Sequence, residues 1–228
     1  MKNREATPSL LASVRSLFTW TDEQAMGRVQ ATGDAQAFAQ LMRRWQGPIQ
    51  NLCARMLGDA HRGEDLAQDT FARLFSKRKD YQPTGRFSTF LWRIALNLCY
   101  DELRRLKRRP ETSLDAEGSE SGEEAAELRG HEHTPDATLL QFERSELVRR
   151  AVMELSEAYR SVVVLRHYEN LKFREIAEVL GVPEGTVKSR MAEALTQLHR
   201  ALGPALSENQ SSLCHHSKIK RPEQSLAF

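Results

Sequence analysis

The segment FREIAEVLGVPEGTVKSRMAEAL, Phe173–Leu195, has the pattern of two consecutive helices joined by a short turn. Apolar residues recur at helical spacing in its first part, and Gly181 interrupts them. Pro183 suits the first turn of a new helix, where the missing N–H is not needed. The residues expected to face a core are Phe173, Ile176, Ala177, Leu180, Val187, Met191, Leu195 and Leu198. The spacing therefore predicts a helix-turn-helix.

The second helix of this pair presents a polar face to solvent. That face is expected to hold Glu184, Gly185, Thr186, Lys188, Ser189, Ala192 and Glu193, with Arg190 nearby. The N-terminal residues of a recognition helix are those that contact bases in the major groove of DNA. The next turn, Ala192–Ala194, offers a phosphate backbone no positive charge, so an ordinary helical hairpin is the alternative.

Composition excludes few classes of protein by itself. The chain has 228 residues, which suits one or two domains, and 33 Lys and Arg stand against 31 Asp and Glu, for a net charge of +2. The three cysteines, Cys53, Cys99 and Cys214, are far apart, which is typical of a reducing compartment. The longest strongly apolar run, Val162–Leu165, is too short to cross a bilayer. We expect a cytoplasmic protein without membrane insertion.

The chain divides into two helical blocks, so the predicted fold class is all-α, with two small helical domains joined by a flexible acidic linker. In the first block the apolar residues recur at helical spacing without a strand-like run, and helices are expected near 35–57, 63–75 and 88–108, with Ser88 as an N-cap. The predicted divisions are an extension over 1–21, domains over 22–109 and 138–203, the linker over 110–137 and a disordered tail over 204–228.

The first block combines many cations with aromatic residues near its end. Arginines and lysines dominate between Arg73 and Arg109, interleaved with Tyr81, Phe87, Phe90, Trp92 and Tyr100. This combination suits neutralisation of phosphates and stacking on unpaired bases. The alternative is a solvated basic helix end above an aromatic core.

An acidic and polar stripe precedes this basic region. Asp65, Gln68 and Asp69 share one helical face, while Leu66, Phe71 and Leu74 are available to pack inward. Beside so basic a surface, this stripe favours a protein contact over a nucleic-acid contact.

Three motifs, in this order, resemble bacterial RNA polymerase sigma factors of the sigma-70 family, in particular the small two-domain extracytoplasmic-function (ECF) type. EDLAQDTFARLF and FSTFLWRIALNLCYDELRRLKRR resemble parts of sigma region 2, and FREIAEVLGVPEGTVKSRM resembles region 4. The resemblance covers about 22–109 and 139–202. It implies a non-enzymatic subunit without cofactor or bound metal that directs core polymerase to promoter DNA, opens it, and is held inactive by an anti-sigma factor.

The resemblance also implies roles for individual residues. Asp65, Gln68 and Asp69 would dock on the clamp coiled coil of the largest polymerase subunit. The minus-ten element would be bound by Arg86, Phe87, Ser88, Phe90, Trp92, Arg93, Asn97, Arg104, Arg105 and Arg108. The minus-thirty-five element would be read by Glu184, Gly185, Thr186, Lys188, Ser189, Arg190 and Glu193. Positions 192–195 depart from the family, where cations are more common, so the usual base preferences do not carry over.

Other functions stay open at this point. A stand-alone helix-turn-helix regulator would bind duplex DNA without polymerase. A nucleic-acid enzyme lacks support, since no phosphate-binding Gly-rich loop and no metal-ligand motif is present. Cys214, His215 and His216 in the tail, with His131 and His133 in the linker, suit zinc or copper sensing or are incidental. The linker carboxylates either imitate a nucleic-acid backbone or serve as a plain spacer.

Overall fold

The computed structural model describes the backbone of residues 20–83, 85–108 and 135–216, and the side chains of these residues except 135–143 and 204–216. Every regular element in these ranges is helical, which confirms the all-α fold class. The helices are α1 (Asp22–Thr32), α2 (Ala35–Leu57), α3 (Ala60–Ser76), α4 (Phe87–Arg108), α5 (Pro135–Glu154), α6 (Glu157–Val163), α7 (Phe173–Leu180) and α8 (Glu184–His216). A 3₁₀ turn, Arg78–Asp80, precedes α4, and a π-helical turn, Val164–Tyr168, follows α6.

Two compact units make up the chain. The first contains α1, α2, α3 and α4 as far as Asp101, together with residues 178–181, and the second contains α4 from Glu102 onward and the rest of α5 to α8. In the first unit α1 and α3 pack on α2, and in the second unit α8 packs on α6 and also contacts α5.

Local sequence sets the boundaries of α1 and α2. Thr21 and Gln24 form a reciprocal capping box at the start of α1, and Gly33 ends the helix with φ at 70°. Asp34 then caps α2 by accepting from the N–H groups of Gln36 at 2.9 Å and Ala37 at 3.1 Å. These backbone hydrogen bonds, with help from Arg28, hold the pKa of Asp34 below its usual value.

Helices α2 and α3 lie close together at Gly63. A Cβ atom added to Gly63 would lie 2.7 Å from the backbone nitrogen of Ala54 and 2.8 Å from its Cα. The prediction that α3 starts at Gly63 is wrong, because the Asp59 side chain accepts from the N–H of Arg62 at 3.0 Å and the helix begins at Ala60. Gly63 therefore serves helix packing and does not mark the start of the helix.

Helix α4 packs on α2 through large aromatic rings. Trp45 of α2 meets Phe87 and Trp92 in edge-on contacts, with ring centroids 5.9 Å and 5.5 Å apart. Phe87 is fully buried and begins the helix, so the prediction of Ser88 as N-cap is wrong. The Arg86 carbonyl accepts the first helical bond, and the Phe87 N–H donates at 3.4 Å to a carboxylate oxygen of Glu23. A side chain from α1 thus takes the place of a local cap.

The second unit has a core rich in β-branched residues. The Val162–Leu165 run is buried, and Ile176 and Val187 of the same unit are fully buried as well. Arg160 is also buried and donates to the carbonyl of Leu155 at 3.0 Å and to that of Met153. Burial lowers the pKa of Arg160. These bonds satisfy backbone carbonyls at the corner between α5 and α6.

The turn between α7 and α8 has the geometry that the sequence indicates. Gly181 adopts φ of 66°, a backbone conformation that favours glycine. Pro183 immediately precedes α8, and its carbonyl accepts from the N–H groups of Thr186 at 2.9 Å and Val187 at 3.2 Å. Pro183 is therefore the residue before the first turn and not, as predicted, a member of it.

The last helix corrects two predictions. Leu195 is 47% exposed, whereas Ala194 is fully buried, so the core-facing stripe runs through Val187, Met191 and Ala194. The α8 backbone also continues past Pro204 to His216, where a disordered tail was predicted. Good helix formers such as Ala205 and Leu206 surround that proline.

Several predicted segments fall wholly or partly outside the described residues. These are most of the N-terminal extension, linker residues 110–134 and tail residues 217–228. The last three residues assigned to the linker, 135–137, lie in α5, which begins at Pro135 rather than near residue 138.

Gly63→Ala should destabilise the first unit by about 1–3 kcal/mol, because the new methyl group forces the α2 and α3 backbones apart. Gly27→Ala is the matched control, since Gly27 also lies in a helix but has no atom within 4 Å of an added Cβ. That control should be neutral or stabilise by about 0.5–1 kcal/mol. Urea unfolding followed by circular dichroism measures both, and equal stabilities would contradict the packing role.

Candidate functional site

The acidic and polar stripe of α3 lies on the solvent side of the helix. Asp65, Gln68 and Asp69 are all exposed, as their spacing predicts. The opposite face is buried through Leu66 and Phe71. Three polar side chains therefore form one outward patch on a helix whose rotation is set by its core contacts. We call this patch the α3 stripe.

Helix α4 presents a polar face opposite its buried one. Arg86 just before the helix and Arg93, Asn97, Arg104 and Arg108 within it are exposed, and Phe90 is half-buried. Their spacings are those of neighbours along one side of a helix. We call these six residues the α4 polar face. It combines cations with one amide and one partly accessible ring.

Arg105 lies beside this face and is ion-paired. Its guanidinium donates to the Glu102 carboxylate at 2.7 Å, which raises the pKa of Arg105. Its positive charge is therefore partly offset by a neighbouring carboxylate.

Two aromatic residues predicted to contact minus-ten DNA lie in the core. Phe87 is fully buried and Trp92 is 3% exposed, both packed against Trp45. Both rings are buried against Trp45 and offer no free face to a base, so they are placed to support α4 from the core. Ser88 and Phe90 stay half-buried, and Phe90 keeps accessible ring surface. Sequence periodicity alone does not distinguish the buried Phe87 and Trp92 rings from the Phe90 ring at the edge of the core.

The segment before α4 is held by contacts that sequence reasoning missed. Tyr81 is 3% exposed, and its hydroxyl donates at 3.2 Å to the carbonyl of Gly85. Burial raises the pKa of Tyr81, and the carboxylates of Glu23 and Asp22 add to the shift. The amide of Gln30 donates to the carbonyl of Tyr81 at 2.7 Å. No local motif links Gln30 to Tyr81, because fifty-one positions separate them in the chain.

The predicted DNA-reading residues of α8 lie together at its N-terminal end. Glu184, Gly185, Lys188 and Ser189 are exposed, and Thr186 and Arg190 are half-buried, which agrees with the expected outward face. We call these six residues, with Glu193, the α8 face.

Hydrogen bonds within α8 already engage several of these groups. Lys188 is ion-paired with Glu184 at 2.7 Å. The Ser189 hydroxyl donates to the Thr186 carbonyl at 3.0 Å, and Gln197 donates to the Glu193 carboxylate at 3.0 Å. The Lys188 charge is thus balanced before any ligand arrives.

The turn Ala192–Ala194 splits between solvent and core. Ala192 and Glu193 are exposed, and Ala194 is fully buried. Only the first two residues therefore face the side on which the α8 face lies. The absence of a cation at position 194 follows from packing and says nothing about a ligand.

Metal binding finds no support in the part of the chain whose side chains are described. No group of three His, Cys, Asp or Glu residues is placed to hold a metal ion there. Cys53 and Cys99 are both buried, and a hydrogen bond from one thiol to the other, with burial, raises the pKa of Cys99. The side chains of the predicted sensing residues His131, His133, Cys214, His215 and His216 lie outside the described set.

The described helices also include none that is both long and apolar enough to cross a membrane.

Comparison with known proteins gives the family of the chain. The family model Sigma-70 region 2 matches residues 41–109, and Sigma-70, region 4 matches residues 145–198. The ECF RNA polymerase sigma factor SigW of Bacillus subtilis (strain 168) is 35% identical over 172 residues, which are 75% of this chain and 91% of that protein. The RNA polymerase sigma-H factor of Pseudomonas aeruginosa is 34% identical over 188 residues, 82% of this chain and 96% of that protein.

Solved structures show the same architecture. The structure of CnrH in complex with the cytosolic domain of CnrY is similar with a TM-score of 0.57 and 26% identity, over 80% of this chain and 97% of that chain. The sigma factor RpoE from Bartonella quintana, solved with the anti-sigma factor NepR, shares the fold with a TM-score of 0.55 and 21% identity, over 74% of this chain and 98% of that chain.

The chain therefore belongs to the sigma-70 family, within its extracytoplasmic-function group. Its function is that of an RNA polymerase sigma factor rather than of a stand-alone regulator.

Lysine substitutions at Ala192 and Ala194 should separate the two sides of this turn. Ala192→Lys should change stability by less than about 0.5 kcal/mol and steepen the salt dependence of DNA binding by about one unit of log slope, because it adds one phosphate-facing cation. Ala194→Lys should cost about 3–5 kcal/mol, because it buries an unpaired charge. Thermal unfolding and salt-dependent DNA binding measure these effects. Equal stabilities would mean that Ala194 does not pack in the core.

Proposed function

We propose that the α3 stripe docks on core RNA polymerase, the α4 polar face captures and holds the minus-ten element, and the α8 face reads the minus-thirty-five element. The observation that carries the proposal is the two-sided character of α4. One side is anchored in the core by buried rings, while the other exposes four arginines, an amide and part of a ring. Such a helix offers charge, hydrogen bonds and stacking surface on a rigid support.

Docking through the α3 stripe rests on charge and exposure. Two carboxylates and an amide within two helical turns form a compact negative patch that complements a basic partner surface. The buried side of α3 holds this patch at a set orientation relative to α4. The chain would then present DNA-binding groups at a constant distance from the polymerase.

Base capture at the minus-ten element requires compensation for lost stacking. An unpaired base leaves the duplex only if a protein pocket repays a few kcal/mol of stacking and pairing energy. Phe90 supplies ring surface, Asn97 supplies an amide, and Arg86 and Arg93 supply cations in this region. Arg104, Arg105 and Arg108 would neutralise neighbouring phosphates. Phe87 and Trp92 act from inside the core by holding the helix.

Reading of the minus-thirty-five element places the N-terminal part of α8 in the major groove of duplex DNA. Lys188 would exchange its pairing with Glu184 for a phosphate or a base edge. Glu193 is exposed and would accept a hydrogen bond from a cytosine amino group. The α8 face therefore favours a base preference that differs from that of a lysine-rich recognition helix.

Partners and location follow from the same proposal. The polymerase forms the phosphodiester bonds, so the chain itself catalyses no step and needs no cofactor, and it works in the cytoplasm where the polymerase is. A protein that covers the α3 stripe or the DNA-binding faces would hold it inactive. The similar chain CnrH was solved in complex with the cytosolic domain of CnrY, which supports control of this chain by a bound protein, here an anti-sigma factor.

Transcription in vitro on fragmented genomic DNA tests the proposal. Core polymerase with the purified chain should start RNA at a defined set of sites that share two upstream elements, while core polymerase alone should not. Mapping the RNA ends gives both elements. If the chain bound promoter duplexes tightly by itself and added no specific initiation to core polymerase, the proposal would be wrong.

Charge reversal in the α3 stripe should weaken polymerase binding. Asp65→Lys with Asp69→Lys should raise the dissociation constant for core polymerase at least about tenfold, which corresponds to about 1.4 kcal/mol. Glu154→Lys, at an exposed position of α5, is the matched control for a change of charge. Fluorescence anisotropy of labelled chain measures the affinity, and equal weakening by the control would contradict a specific docking site.

Glu193→Arg should change the preferred minus-thirty-five sequence, because arginine pairs with guanine where glutamate accepts from cytosine. Initiation at promoters that depend on this element should change by about tenfold in either direction, since one base contact is worth about 1–3 kcal/mol. Core-polymerase affinity should stay the same. Start-site mapping with wild type, Glu193→Arg and the control Glu154→Arg gives the comparison, and an unchanged promoter set would mean that this turn does not face DNA.

A further inference from the structure

The segment that leads into α4 is attached to the protein by polar contacts from α1. Residues 81–83, 85 and 86, which we call the entry loop, connect the 3₁₀ turn to the first residue of α4. Two carbonyls at the near end, those of Lys79 and Tyr81, accept hydrogen bonds from the Gln30 amide at 3.3 Å and 2.7 Å. At the far end, the Phe87 N–H donates to Glu23 at 3.4 Å.

Gln30 has the chemistry that two adjacent carbonyls require. A primary amide has two N–H donors on one nitrogen, so one side chain satisfies both acceptors. A carboxylate of the same size would place oxygen against oxygen, and an aliphatic side chain would leave both carbonyls without this partner. The contact therefore depends on the amide and not on side-chain volume alone.

The support beneath Gln30 is rigid. Met26 and Val29 on the same helix are fully buried, so α1 has a set rotation relative to the core. Asp22, at the start of α1, accepts from the Trp45 indole N–H at 3.0 Å and from Arg44 of α2. A side chain on such an element holds its partner atoms more closely than a loop residue would.

Tyr81 connects this brace to the α4 polar face. Its carbonyl receives the Gln30 amide, its ring packs on Phe87 and Phe90, and its hydroxyl donates to the carbonyl of Gly85. The centroids of the Tyr81 and Phe90 rings are 5.5 Å apart. A displacement of the Tyr81 backbone would therefore move both the entry loop and the partly accessible Phe90 ring.

We propose that Gln30 is a positioning residue for capture of the minus-ten element, holding the entry loop and Phe90 in place through the carbonyls of Lys79 and Tyr81. This inference rests on the proposed function of the α4 polar face. Gln30 itself does not touch DNA. Loss of its amide leaves the folded core intact but lets the entry loop open locally. The free energy of DNA binding must then offset the entropic cost of ordering the entry loop.

Two variants and two matched controls test the role. Gln30→Leu removes both donors, and Gln30→Glu keeps the shape while turning donors into acceptors. Ala31→Leu and Ala31→Glu make the same chemical changes one residue further along α1, at an exposed position. The full chain is reconstituted with core polymerase and assayed on a promoter fragment taken from the start-site map, with 2-aminopurine in the minus-ten region to report unstacking.

Both Gln30 variants should lower the extent of promoter opening about tenfold, while affinity for core polymerase and melting temperature match those of the Ala31 controls. On the same fragment with the minus-ten region already mismatched, much of the deficit should persist, because capture of the unpaired strand is what fails. Hydrogen exchange should increase in peptides covering residues 77–86 and stay unchanged in α2 and α3.

Three results would overturn the inference. Wild-type promoter opening by both Gln30 variants would show that the Gln30 hydrogen bonds are dispensable. Equal losses of opening in the Ala31 controls would show that any change in this part of α1 impairs opening. A parallel loss of core affinity and melting temperature would assign Gln30 to folding. Failure of the proposed function looks different, because wild-type holoenzyme itself would then give no specific start sites.

Discussion

The close approach of α2 and α3 at Gly63 is the constraint on which the first unit depends. The Ala54 backbone fills the space that any side chain at position 63 would need, so the two helices lie nearer to each other than ordinary side chains permit. That proximity sets the rotation of α3, which buries Leu66 and Phe71 and turns the α3 stripe to solvent. The absence of a side chain at Gly63, on the opposite side of the same helix, thus positions a surface that is proposed to bind polymerase.

Helix α4 is held against α2 by large side chains and not by a close backbone approach. The Trp45 ring of α2 contacts the Phe87 and Trp92 rings of α4. The thiols of Cys53 and Cys99 meet in the same interface. Burial of this side leaves the arginines and Asn97 on the other. Helix α1 then completes the arrangement, since Glu23 and Gln30 supply polar partners to the backbone on either side of the entry loop. Packing and polar contacts together position the surface that is proposed to hold unpaired DNA.

Much of the fold and of the candidate sites could be predicted from the sequence, because helical periodicity reports which residues share a face. The bounds of α2, the outward α3 stripe and the helix-turn-helix around Gly181 all follow from spacing and turn chemistry. The spacing does not decide which of two adjacent residues is buried. Leu195 and Ala194 are adjacent on α8, and the smaller residue is the buried one. Spacing also does not distinguish core rings such as Phe87 and Trp92 from rings that stack on DNA bases, because an aromatic residue suits both environments.

The sequence by itself determined the helical class, the two blocks and the order of motifs that places the chain among the ECF sigma factors, because these depend on residue type and local spacing. Tertiary structure alone decided which aromatic rings are accessible, where α4 begins, and which side chains support the entry loop. The contact between Gln30 and Tyr81 illustrates the reason. It joins residues from distant parts of the chain, and no local periodicity carries information about a hydrogen bond that exists only after α1 has packed on the core.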